Sequence, residues 1–137
     1  MTALTKDRNT HAREGDLFNF GVAASTKIFA GAIVMLNASG YATKGAAATG
    51  QICVGRAEAL ADNSSGSNAD ITVDVRSGVF KFANSASSDA ITIAEIGDTC
   101  YIVDDQTVAK TDGTGTRSAA GKIVGVDSDG VWVRMGL

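Results

Sequence analysis

The sequence predicts a mainly β protein, a small β-barrel or sandwich with an extended N-terminal arm. Three observations predict it: short apolar runs rich in β-branched residues, residue alternation at the strand period of two, and punctuation by 16 Gly with no Pro. A chain of 137 residues supports one core. Aromatics are only 6% against 45% apolar residues, so that core is built from Val, Ile, Ala and a few Phe.

From Met1 to about Asp16 the chain is polar, with Lys6, Arg8 and Arg13 balanced by Asp7, Glu14 and Asp16, and only Leu4 as a sizeable aliphatic residue beyond the initiator. It cannot supply a core stripe. It is either a disordered tail or an arm that orders on a partner. Residues 1–20 are read as this arm and 21–137 as the β domain. The cluster Leu17, Phe18 and Phe20 belongs either to the core or to a partner contact.

Strands are expected at Ala32–Leu36, Gln51–Ala61, Asp70–Arg76, Val79–Ala83, Thr99–Asp104, Thr107–Thr111, Gly121–Val126 and Val131–Met135. Ile71, Val73 and Val75 alternate with Thr72, Asp74 and Arg76, and Phe80 and Phe82 oppose Lys81. Ser77-Gly78 between these runs predicts one hairpin, and Asp129-Gly130 before VWVRM predicts a second. Only Ile91–Ile96 suggests a helical turn. GAIVMLN, YATK and CVG echo GDTCYIV, VAK and IVG, which suggests two similar halves pairing to close one barrel.

No catalytic, cofactor or metal site emerges. The one His, His11, lies in the leader, which removes the commonest general base from the folded part. Cys53 and Cys100 stand in apolar runs without CxxC spacing and read as buried thiols. Asp127–Gly130 (DSDG) lacks the later ligands of a calcium loop and reads as a turn. The Gly113–Gly115 stretch lacks the lysine and following helix of a phosphate cradle. No Gly-x-Ser-x-Gly elbow occurs, and Asp104-Asp105, adjacent on a strand, would face opposite ways. A net charge of −3 with no basic half argues against nucleic acid. No apolar run is long enough to span a bilayer, and the N-terminus lacks a signal peptide's apolar stretch, so neither membrane nor export is expected.

One constellation remains. In VWVRM, Val131, Val133 and Met135 share one face while Trp132 and Arg134 share the other. The single Trp is either covered by a neighbouring strand or the leader, or it anchors a subunit interface, where Trp and Arg are enriched.

The phrases EGDLFNF, VAASTKIFAGAIVMLNASGYATK, VGRAEA, TVDVRSGVFKFANSA, IGDTCYIVDDQTVAKT and AGKIVGVDSDGVWVRM, in this order from about Glu14 to Met135, resemble the capsid decoration (cement) proteins of tailed bacteriophages. The resemblance implies a β-rich, non-enzymatic virion protein, made in the bacterial cytoplasm, that coats the outer capsid surface, binds the major capsid protein and self-associates, often as a homotrimer. The family supplies no short functional motif to transfer. Lys6, Arg8, Arg13, Leu17, Phe18 and Phe20 are therefore candidate capsid contacts, and Trp132 and Arg134 candidate self-association contacts, by pattern alone. The competing expectation is a receptor- or glycan-binding β module of a phage tail or fibre.

Overall fold

The computed structural model describes residues 2–137, and the fold is mainly β. Twelve strands follow in chain order. β1 is Leu17–Gly21, β2 Thr26–Ile28, β3 Ile33–Leu36, β4 Ala42–Lys44, β5 Ile52–Ala57, β6 Ala61–Asn63 and β7 Thr72–Arg76. β8 is Gly78–Asn84, β9 Thr99–Ile102, β10 Thr107–Ala109, β11 Ala119–Asp127 and β12 Gly130–Met135. The helical turn expected near Ile91–Ile96 is a 3₁₀ turn at Ile93–Glu95, fixed by a capping box between Thr92 and Glu95.

β1, β7, β5, β3 and β4 form one five-stranded sheet in that spatial order. β8, β12, β11, β9 and β10 form a second set in the same relative order, and this one closes into a barrel because β10 pairs parallel with β8. The first sheet's edges also meet, through a parallel bridge between Val22 and Ala42. The chain therefore traces one plan twice.

The register shows how close the match is. In the first unit Arg56 stands opposite Arg76 and Ala57 opposite Val75; in the second, Lys122 stands opposite Arg134 and Ile123 opposite Val133. Phe18 and Phe20 face Val75 and Val73 across β1 and β7, as Phe80 and Phe82 face Val133 and Val131 across β8 and β12. The loop bonds repeat as well. Gly31 N–H donates to Ala57 O at 2.9 Å and Gly97 N–H to Ile123 O at 2.8 Å, while Ala57 N–H reaches Ala32 O and Ile123 N–H reaches Asp98 O, both at 2.9 Å. Gly55 and Gly121 are matched positions. A Cβ on Gly55 would lie 2.3 Å from Arg76 O, and one on Gly121 would lie 2.1 Å from Arg134 O. Both glycines exist because a neighbouring backbone occupies the side-chain space.

Two expectations are corrected here. The halves do not combine into one barrel; each half makes its own five-stranded unit. Ser77-Gly78 is not a hairpin turn either: β7 pairs with β1 and β5, whereas β8 pairs with β12 and β10, so Ser77 carries the chain from one unit into the next. The second expected hairpin is present, with Asp127 opposite Gly130. The run expected as Gln51–Ala61 breaks at Glu58–Leu60 into β5 and β6, and β6 folds back on β2.

Each unit has its own core. Val22, Val34, Val54, Val73 and Val75 lead the first; Phe82, Ile91, Ile102, Ile123, Val131 and Val133 lead the second. β3 is the shared wall. Its period of two sends Val34 into the first core and Ile33 and Met35 into the second. Main-chain ties reinforce the joint: Ile33 N–H donates to Asp105 O at 2.9 Å, and Ala46 bridges Asp104.

Candidate binding surfaces

β1 begins at Leu17, which moves the leader's boundary from residue 20 back to 16. β1 pairs along its whole length with β7. Phe18 and Phe20 occupy one strand face with ring centroids 6.3 Å apart, and Phe20 packs against the first core. Leu17, Phe18 and Phe20 are thus wall residues of the first unit. Residues 2–14 are exposed and belong to no strand or helix, and Lys6, Arg8 and Arg13 all lie in this segment. Arg13 returns to the body, its guanidinium 5.6 Å from the Phe18 ring.

On the outer face of the second unit, the alternation expected for VWVRM holds. Val131 and Val133 are buried, and Trp132 is 40% exposed. The indole lies beside Gly125, its neighbour on β11. Trp132 Nε1–H donates to Asp127 Oδ2 at 3.2 Å, and the Lys81 ammonium sits 5.6 Å from the ring centroid. Lys81 also bridges Asp127 and Asp129 at 3.3 and 3.5 Å. Asp127 Oδ1 accepts the Asp129 and Gly130 amides, so one carboxylate shapes the hairpin and orients the indole. Those backbone and indole N–H groups, then Lys81, hold the Asp127 carboxyl below its ordinary range.

Arg134 lies beside Trp132 on β12 and opposite Lys122 on β11. Lys122 Nζ donates to Thr99 Oγ1 at 3.2 Å. The matched pair in the first unit, Arg56 and Arg76, is built differently. Arg56 Nη2 reaches Glu58 Oε1 at 2.6 Å, Arg76 Nε reaches the same oxygen at 3.5 Å, and Arg76 Nη1 reaches Asp16 Oδ2 at 3.0 Å. Arg56 holds the Glu58 carboxyl below its usual range. The sequence reading missed this network. Its signal is the charged residue on each of two strands whose pairing the sequence does not reveal.

Both thiols sit at the joint. Burial pushes Cys53 up to about 11 and Cys100 up to about 12, as expected of inert core thiols. Among the described residues no group of three His, Cys, Asp or Glu side chains could hold a metal ion, and no helix is long and apolar enough to cross a membrane. No protein-family model, curated protein or solved structure matches the chain.

Proposed function

We propose that this protein is a structural, non-catalytic virion component that binds the outer surface of a bacteriophage capsid and stabilises the head. The observation that carries the reading is the ordered set of strand phrases from about Glu14 to Met135 that resembles the capsid decoration proteins. The geometry agrees with a binding role. A doubled β body presents a sheet face bearing Trp132 and Arg134, and residues 2–14 extend outside its sheets with Lys6, Arg8 and Arg13. A homotrimer that contacts the major capsid protein is the form of this reading taken from the resemblance.

The mechanism is linkage. A ligand that binds the assembled shell in preference to free subunits raises the free energy of taking the shell apart, and a copy bridging several subunits gains from effective concentration. Heads assembled without the protein are expected to form normally but to burst earlier on heating or chelation, and added protein restores resistance. Equal resistance with and without saturating protein rejects the reading. The exposed indole also suits a tail or fibre module that stacks on sugar rings; a handful of copies per particle rather than hundreds would favour that alternative.

A further inference from the structure

The two units make a comparison within one chain, and they differ most at one matched pair of cations. In a sheet, like charges directly opposite one another on neighbouring strands repel. The first unit answers this at Arg56 and Arg76 with Glu58 and Asp16. In the second unit Lys122 and Arg134 hold the same register positions, yet among the described residues neither has a carboxylate within 4 Å. The positions that carry the acids in the first unit are occupied by others. After the matched Ala57 and Ile123 the register of β11 on β12 shifts by a bulge at Val124, and neither Val124 nor Gly125, which stands opposite Trp132 as Glu58 stands by Asp74, is an acid. Counting back from the matched Leu17 and Val79, Gly78 stands where Asp16 does.

The place is open to a partner. Lys122 and Arg134 line a groove of about 540 Å³ together with Ser77, Gly78, Thr99 and Leu137. Along the same strands, outside the groove's own lining, Val79 opposite Arg134, Val124 and Trp132 are all more than a third exposed, whereas the position matched to Trp132 in the first unit is Asp74, hydrogen-bonded to Asn19. We propose that this groove is a docking site for a carboxylate side chain flanked by aliphatic residues on a capsid subunit, which takes the place that Glu58 and Asp16 fill internally in the first unit. The occupant rests on the decoration reading above; the groove's preference for a carboxylate does not. Charge complementarity selects the acid, and a guanidinium beside an ammonium offers it charge-assisted hydrogen bonds. The exposed aliphatic and indole surfaces select its neighbours.

Two measurements on the full chain separate these claims. The first titrates isotope-labelled protein with a capped pentapeptide carrying one aspartate between two leucines, against the same peptide with asparagine. Amide shifts are expected at Lys122, Val124 and Arg134, with the asparagine peptide weaker by about tenfold, the size of one lost charge-assisted bond. Val124→Glu, which supplies a carboxylate of the chain's own at the β11 bulge beside the pair, abolishes the response without lowering thermal stability. Arg134→Ala also abolishes it, and Lys44→Ala on β4 leaves it intact. Equal response to both peptides, or no localised response, overturns the site. The second measurement binds the same variants to heads lacking the protein. Val124→Glu and Arg134→Ala are each expected to weaken binding about tenfold or more. If heads bind Val124→Glu as tightly as the unaltered chain while the peptide response is lost, the capsid is not the occupant. If the unaltered chain does not bind heads at all, the decoration reading falls with its occupant, and the peptide result alone judges the groove.

Discussion

At the residue scale the fold depends on positions where a side chain would collide with backbone. Gly55 has φ +133°, a conformation that disfavours any side chain, and its missing Cβ makes room for Arg76 O. At Gly121 a Cβ would collide with Arg134 O and crowd Val133 Cγ1 at 3.1 Å. Gly55→Ala and Gly121→Ala are each expected to destabilise the protein by about 2 kcal/mol or more, read as a lower urea midpoint. A midpoint unchanged in both would mean that the strands part easily there. Asp127 gives a second residue-scale test. Its folded carboxyl titrates below the ordinary 3.8, so its contribution is complete above that value and is lost as pH falls through the depressed one. Because it accepts the hydrogen bond of the sole Trp, a step in indole fluorescence is expected below pH 3.8, absent in Asp127→Ala, at a pH where the far-ultraviolet spectrum is still native. A step centred well above 3.8 contradicts the assignment. The alternation of VWVRM and the role of DSDG as a turn were legible because both are local patterns. The Arg56–Glu58–Arg76–Asp16 network was not, because it spans two strands, the turn after β5 and the leader.

At the scale of elements, what sequence conveys is strand existence, and what it hides is pairing. Ser77-Gly78 between two alternating runs has turn composition, but turn residues do not dictate which edges meet. Here β7 is already flanked by β1 and β5, and β8 has no place beside it. β2, β4 and β6, of three residues each, are too short to show a period. β6 is nonetheless well fixed: buried Asn63 donates from Nδ2 to the carbonyls of Val22, Ala23 and Ser67 at 2.9–3.2 Å. The leader's boundary follows from β1, and it sharpens a test. A chain starting at Asp16 keeps β1 and the Asp16–Arg76 pair, so it is expected to fold with nearly unchanged stability while binding heads more weakly, most of all at low salt, where the lost cations count most. A chain starting at Val22 loses β1 with Phe20 and is expected to be strongly destabilised. Saturation of heads by the first truncation at the concentration of the full chain would assign all binding to the body.

At the scale of the whole molecule, the repeated plan was only faintly legible because matched core positions keep burial while exchanging side chains. Val34 is matched by Cys100, Ala42 by Val108, Val54 by Ala120 and Ala57 by Ile123, and all eight are buried. Selection of volume rather than identity erases sequence similarity while conserving topology. The same arithmetic misplaced the third phrase of the echo: Val54-Gly55 looks like Val124-Gly125, whereas the register matches Gly55 with Gly121. Two like units could in principle unfold separately, but their joint argues otherwise. Ile33 and Met35 come from β3 of the first unit and are buried in the second unit's core, so the first unit cannot open without stripping a wall from the second, and opening the second exposes these two side chains. A single calorimetric transition is therefore expected, with the measured enthalpy equal to the van't Hoff enthalpy. Ile33→Ala removes a fully buried side chain at this joint and is expected to cost about 2–5 kcal/mol. The informative result is how that loss is distributed. If the joint couples the units, Ile33→Ala lowers one common transition; if they are independent, the thermogram separates into two peaks and the substitution lowers chiefly the one belonging to the second core.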